Sequence, residues 1–106
     1  MHSVTSNATF KACSPNYAQK QLIFDGTTEY SDTYTTPDNG VIVASGWGTM
    51  QSNNYIIFNV NGVVAENQGN STEAISVLLP VRKGDTVVIN MFLASNNYGC
   101  YFVPYN

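Results

Sequence analysis

The chain has 106 residues, which is the usual size of one domain with one hydrophobic core. Only 10% of the residues are charged, and polarity is carried instead by Asn, Ser, Thr and Gln together with seven Tyr. The net charge of −3 and the four cationic side chains argue against nucleic-acid binding, which needs clustered Lys and Arg. No apolar run approaches the roughly 20 residues of a membrane span, so membrane insertion is not expected.

The first 18 residues differ from the rest of the chain. Thr5 or Ser6 could cap a short helix that runs through Lys11, and Pro15 would stop it. Residues 14–18 then form a linker. We therefore expect a helical or linker segment over residues 1–18 and one β domain over residues 19–106.

Short runs of β-branched and aromatic residues follow, separated by turn residues such as the Pro, Asp, Asn and Gly of residues 37–40. Asn61-Gly62 is the strongest short hairpin signal in the chain. This pattern predicts about eight strands, at residues 21–24, 28–36, 41–47, 55–60, 63–65, 75–81, 87–93 and 98–105. The expected fold is all-β, a jelly-roll sandwich.

Residues 75–92 are predicted to form a hairpin joined by the tight turn at residues 82–85. Apolar residues alternate along both strands of this stretch, but Leu78, Val88 and Phe92 make the second face apolar as well. An isolated hairpin cannot bury two faces, so it needs a second sheet on one side and a neighbouring subunit on the other. The predicted core residues are Ile56, Phe58, Val77, Leu79, Val87 and Ile89.

Three motifs occur in the order found in a known group of domains. Residues 35–41, TTPDNGV, resemble the start of a core strand in trimeric jelly rolls of the complement-globular-head and tumour-necrosis-factor type. Asn61-Gly62 and residues 79–87, LPVRKGDTV, resemble two later turns of the same domains. Residues 4–8, VTSNA, look like a segment that precedes the tips of prophage tail proteins.

The resemblance implies a C-terminal tip domain of a phage tail fibre, present in the virion and made in the bacterial cytoplasm. It also implies a homotrimer in which the last strand lies near the threefold axis. The first residues lack the layout of a secretory signal peptide, in keeping with that expectation.

Catalysis is not expected. His2 is the only histidine and stands at the chain end, so no triad or histidine-based metal site can form. The seven Asp and Glu residues are scattered over turns and strand edges. We therefore predict no catalytic residues, no metal and no cofactor.

Asn-rich loops and nearby tyrosines are the candidate ligand-binding rim, although they could equally be solvated turns. Tyr55 and Tyr98 are expected at the surface, whereas Trp47 is expected to be buried because two glycines flank it. The full candidate set for ligand binding is Asn53, Asn54, Tyr55, Asn67, Asn70, Asn96, Asn97 and Tyr98.

Apolar and aromatic residues on second faces of strands are the candidate oligomer interface. This set comprises Leu78, Val88, Phe92, Tyr101 and Tyr105. Together with the resemblance, it predicts a homotrimeric, non-catalytic domain that binds a glycan or a protein on a host cell surface. The alternatives are a structural module that trimerises and caps the fibre, and a carbohydrate-binding module of a secreted enzyme.

Cys13 and Cys100 are the two cysteines, and their separation fits no zinc or redox motif. Unpaired thiols are the expectation for a chain made in a reducing cytoplasm. A bridge that ties the two ends together is the alternative.

Overall fold

The computed structural model describes residues 14–48, 53–69, 73–93 and 98–106. Within these ranges there are eight strands and one 3-10 turn, η1, at Tyr17–Gln19. The strands are β1 Gln21–Gly26, β2 Tyr30–Thr35, β3 Gly40–Trp47, β4 Asn54–Val60, β5 Val63–Gly69, β6 Ala74–Val81, β7 Thr86–Phe92 and β8 Tyr98–Pro104. The predicted N-terminal helix, Cys13, Asn70, Asn96 and Asn97 lie outside the described residues.

The eight strands form two four-stranded antiparallel sheets. The first sheet has the order β1-β8-β3-β6 and the second has the order β2-β7-β4-β5. Successive strands therefore alternate between the sheets, except at the β4–β5 hairpin. This order is that of an eight-stranded jelly roll, so the predicted fold class is confirmed.

The predicted hairpin over residues 75–92 is wrong. β6 pairs with β3 in the first sheet, whereas β7 lies between β2 and β4 in the second sheet. The turn at residues 82–85 is present, with Gly84 at φ +86°, but it carries the chain from one sheet to the other. The alternation along both strands had identified the buried faces correctly, since each strand turns one face into the space between the sheets.

The β4–β5 hairpin forms where the sequence predicts it. Val60 pairs with Val63, and Asn61 and Gly62 between them have φ values of +51° and +82°. Two consecutive positive φ values are typical of the turn that matches strand twist, and Asn-Gly is its preferred sequence. β5 continues to Gly69, four residues beyond the predicted end, because it pairs with β4 along its whole length.

The core lies between the two sheets. Ile56, Phe58, Val87 and Ile89 are fully buried there, as predicted. Val77 and Leu79 are partly buried and pack against this core. Both belong to β6, which is an edge strand of the first sheet and has a neighbour on one side only.

Two of the motifs identified in the sequence contact each other at one end of the sandwich. The buried Thr36 hydroxyl donates to the Arg82 carbonyl oxygen at 2.5 Å and accepts the Asp85 N–H at 3.0 Å. The Asn39 Oδ1 atom accepts the Lys83 N–H at 2.9 Å. The β2–β3 turn therefore holds the β6–β7 turn in place through side-chain hydrogen bonds.

We expect Thr36→Val to lower the free energy of unfolding by about 1–2 kcal/mol, because the methyl group removes the hydrogen bonds of the buried hydroxyl to the Arg82 carbonyl and the Asp85 N–H. Chemical denaturation followed by circular dichroism measures this loss. Thr35→Val is the matched control, since the Thr35 side chain is exposed, and a change within about 0.5 kcal/mol is expected there. Equal effects at both positions would contradict the role given to the Thr36 hydroxyl.

The predicted linker at residues 14–18 packs against the end of β8. Asn16 donates its N–H to the Pro104 carbonyl at 2.8 Å, and Pro15 forms a bridge with Tyr105. η1 is the one helical element among the described residues, and no helix there is long and apolar enough to cross a membrane.

Cys100 is a free thiol on the inner side of β8, and its side chain is fully buried. Burial raises the pKa of this thiol to about 12, because the thiolate loses its hydration. The expectation of an unpaired thiol is met at Cys100.

In a Cys13→Ser background, Cys100 should stay unreactive toward a thiol reagent at neutral pH until the protein unfolds. The reactive species is the thiolate, which burial and the raised pKa both suppress. Counting thiols with and without denaturant tests this. Rapid labelling of the native variant would show that Cys100 is more accessible than the structure has it.

Candidate functional site

An apolar row crosses the outer face of the first sheet. Leu22 of β1 pairs with Tyr101 of β8, Tyr101 pairs with Val43 of β3, and Val43 pairs with Leu78 of β6. Paired residues on neighbouring antiparallel strands lie side by side on one face. These four residues, here called the apolar row, therefore span all four strands of the sheet.

The apolar row is accessible to solvent at both of its edges. Leu22 is 54% exposed and Leu78 is 48% exposed, and between them Val43 and Tyr101 are half-buried. Tyr17 of η1, itself exposed, borders a shallow cleft over Val43 and Leu78. Continuous exposed apolar surface of this kind is typical of an interaction site.

A polar groove adjoins the apolar row on the same face. In the next row on this face, Asp25 pairs with Gly99, Gly99 with Ser45, and Ser45 with Ser76. Gly99 has no side chain, and the Tyr101 ring lies beside the space that one would occupy. The groove has a volume of about 570 Å³, and its margins include Trp47 and Tyr101.

Trp47, which the sequence predicts to be buried, is 57% exposed. The flanking glycines are needed for a different reason: Gly46 faces inward, where a Cβ would lie 2.5 Å from the Tyr98 Cβ. Gly48 packs just as closely on the Asn54 side chain. Since neighbouring strand residues alternate in direction, inward glycines on both sides place the Trp47 ring on the outer face.

Lys20 and Gly99 fix the environment of the Tyr101 ring. The Lys20 ammonium lies 4.9 Å from the centre of the ring, a distance at which cation–π attraction operates. A Cβ added to Gly99 would lie 3.0 Å from a ring carbon, so the ring leans over the glycine backbone. Tyr101 thus belongs to the apolar row and also borders the groove.

The placement of Asn54 and Tyr98 on a ligand-binding rim is wrong. Asn54 is 0% exposed, in contact with Gly48, and Tyr98 is 2% exposed, with its hydroxyl donating to the Thr28 carbonyl. Each is the first residue of its strand, and its side chain points into the space between the sheets. The polar loop that precedes each of them in the sequence had suggested a surface position instead.

Three other rim candidates lie at the surface. Asn53 and Asn67 are exposed, and Tyr55 is half-buried on the outer face of the second sheet beside Phe92. Tyr55 donates its hydroxyl to Glu29 Oε2 at 2.5 Å, and this hydrogen bond to the carboxylate is the main cause that raises the pKa of Tyr55 to about 12. The phenol is therefore held as a neutral donor to Glu29.

The predicted oligomer-interface residues do not share one surface. Leu78 and Tyr101 belong to the apolar row, whereas Val88 and Phe92 lie on the outer face of the second sheet. Tyr105 lies beyond β8, at the end of the molecule opposite to Trp47. The hairpin that would have placed these residues on one face does not form, because β6 and β7 are in different sheets.

The outer face of the second sheet mixes polar and apolar side chains. Val88 is surrounded by Thr33 of β2 and Asn59 of β4, its partners in register. In the next row the Ser31 hydroxyl donates to Asn90 Oδ1 at 2.6 Å. Asn59 therefore stands between Val88 and Val64, the other apolar residue of its row, whereas Leu78 adjoins Val43 directly.

Within the part of the chain that the structure describes, no three His, Cys, Asp or Glu side chains come together in a group that could hold a metal ion. The absence of metal, cofactor and catalysis remains a prediction from the sequence.

No protein-family model matches the chain, and no curated protein matches it. Among solved structures, it is similar to one described as a ruminal GH26 endo-β-1,4-mannanase, with a TM-score of 0.40 and 12% identity. That match covers 76% of this chain and 19% of the mannanase chain, so the chain spans about a fifth of the length of that protein. A likeness at this TM-score carries no argument about fold or activity.

Proposed function

We propose that this domain is a non-catalytic, homotrimeric tip domain of a phage tail fibre or similar appendage, and that it binds a glycan or protein on the host cell surface. The observation that carries the proposal is the apolar row on the first sheet. A monomer would leave these side chains in water, whereas self-association would bury them. The trimer and the phage setting derive from the sequence resemblance.

The contrast between the two outer faces supports association through the first sheet. The first sheet presents Leu22, Val43, Leu78 and Tyr101 in a continuous row. On the second sheet, apolar residues such as Ile57 and Val64 are interrupted in register by the amides of Asn90 and Asn59, which water can solvate. In a closed threefold assembly the first sheets would face inward and the second sheets outward, without open surfaces that could polymerise.

Trimerisation would also place three equivalent ligand sites on one particle. Three weak sites on one rigid body can bind a surface that carries many copies of the ligand, since each later contact is intramolecular. This arrangement suits recognition of a cell surface by a domain whose individual sites are weak.

Binding to intact cells tests the proposal. The purified domain, labelled at its N-terminus, is mixed with a panel of Gram-positive and gut bacteria before and after periodate oxidation of surface sugars or protease treatment. We expect the domain to bind at least one strain, and we expect periodate or protease treatment of that strain to abolish the binding. An associated domain that binds no strain would favour the capping module instead. Release of reducing sugar from the cells would contradict a non-catalytic role.

A further inference from the structure

The groove beside the apolar row has the chemistry of a sugar site. Its aromatic margin is Trp47, the single tryptophan of the chain, with more than half of its surface accessible. Its polar margin consists of Asp25, Ser45 and Ser76, all exposed. A few polar groups converging beside an aromatic surface are what a small-molecule site requires.

The polar row makes the groove unsuitable as a continuation of the protein interface. On β3, Ser45 separates Val43 of the apolar row from Trp47, and its neighbours in register are Gly99 and Ser76. A second protein surface laid across this row would remove water from the Asp25 carboxylate, which is costly unless the partner pairs with it. The apolar contact surface therefore ends before Trp47.

A pyranose ring matches both parts of the groove. One face of the ring carries C–H groups, which can stack on the flat indole of Trp47, and its edges carry hydroxyl groups. A hydroxyl donating to the Asp25 carboxylate forms a charge-assisted hydrogen bond, the stronger kind. The Ser45 and Ser76 hydroxyls can both donate and accept, as sugar hydroxyls do.

The charge of the groove sets the class of sugar. Among the groove residues Asp25 is the one charged side chain, and the chain as a whole carries −3. The Lys20 ammonium is not among the groove residues and lies 4.9 Å from the centre of the Tyr101 ring. An anionic sugar or phosphate would meet repulsion from Asp25, so a neutral sugar is favoured.

We propose that the groove formed by Trp47, Tyr101, Gly99, Asp25, Ser45 and Ser76 binds a neutral pyranose unit of a cell-surface glycan. Trp47 stacks on the ring, the Asp25 carboxylate accepts hydrogen bonds from its hydroxyl groups, and Tyr101, the member of the apolar row that borders the groove, closes the opposite side. This inference rests on the proposed function, because it names the ligand class and the binding site for the proposed recognition of a cell surface. On β3, Ser45 separates Trp47 from the apolar row, so the aromatic margin of the site lies outside the proposed contact surface.

The test begins with a glycan array probed with the wild-type domain, followed by titration with the soluble oligosaccharide that gives the strongest signal. Because Trp47 is the only tryptophan, its fluorescence reports occupancy of the groove directly. We expect a neutral glycan to bind and to change the Trp47 emission. A signal confined to anionic glycans, no signal on the array, or binding without a change in emission would overturn the proposal.

Calorimetric titration of variants with the same oligosaccharide tests the roles of the residues. Trp47→Ala should weaken binding about 10- to 30-fold, and Trp47→Phe should recover part of the loss. Asp25→Asn should weaken it about three- to tenfold while stacking persists. Val64→Ala, an exposed apolar position on the second sheet, is the control and should leave affinity unchanged. Unchanged affinity of a folded Trp47→Ala variant would overturn the site.

The mass of each sample, measured by sedimentation, separates this inference from the trimer. A trimer that binds no neutral sugar would contradict the proposed sugar site and leave the proposed self-association intact. A monomer whose Trp47 emission responds to the sugar would contradict the proposed trimer and support the proposed sugar site.

Discussion

Replacing Ile89 by alanine should lower the free energy of unfolding by about 2–5 kcal/mol. Ile89 is fully buried on β7, and its neighbours in register are Asp32 on β2 and Phe58 on β4. Strands on both sides hold the backbone in place, so the cavity left by the lost atoms cannot collapse freely. Denaturation at one fixed protein concentration measures the loss, since association shifts apparent stability.

Two comparisons identify the buried face. Val88→Ala, at the next residue of the same strand, should cost less than about 1 kcal/mol because Val88 is exposed on the outer face. Leu79→Ala should cost less than Ile89→Ala, since Leu79 lies on an edge strand and is only partly buried. A near-neutral Ile89→Ala, or a Val88→Ala as costly as Ile89→Ala, would mean that the strand faces are assigned wrongly.

Leu78→Asp should dissociate the assembly into folded monomers. Leu78 is exposed on edge strand β6 and is part of the apolar row, so a carboxylate there disturbs the proposed interface without entering the core. Association would place one such charge per subunit close to the others, without partners. We expect the dissociation constant to rise about 100-fold or more.

Val64→Asp is the matched control for Leu78→Asp. Val64 is 49% exposed, nearly the same as Leu78 at 48%, and it also lies on an edge strand, but on the second sheet. We expect this variant to keep the wild-type mass and a native circular dichroism spectrum. Dissociation by Val64→Asp, with no effect of Leu78→Asp, would move the interface to the second sheet.

The faces of the strands were predictable from the sequence, but some of their partners were not. Alternation along residues 75–81 and 87–93 identified which side chains are buried, because side-chain direction has a period of two. Alternation carries no information about which strands pair. A turn such as residues 82–85 can close a hairpin or cross between sheets. In this jelly roll the turn crosses between the sheets, so the predicted hairpin does not form.

Local turn chemistry was a better guide than the local environment of single residues. Asn61-Gly62 forms the predicted hairpin because its positive φ values are a property of those two residues. The glycines beside Trp47 are positions of close approach, but the approach is on the inner face. Whether the flanking glycines imply a buried or an exposed Trp47 depends on which face of β3 points inward. The glycines point inward, and Trp47 is therefore exposed.

The apolar row could not have been found from sequence motifs. Its residues come from four strands, and Leu22 and Tyr101 are far apart in the chain. Their alignment depends on the pairing registers, including the irregularity in β1 between Leu22 and Phe24. Leu78 and Tyr101 were identified individually as second-face residues, and the structure brings them into one row.

The mass of the wild-type domain in solution tests the central claim most directly. If the apolar row is a self-association surface of a homotrimer, sedimentation equilibrium at micromolar concentration should give about three times the 11.6 kDa chain mass. A clean monomer of 11.6 kDa under the same conditions would contradict the trimer and the multivalent binding that depends on it.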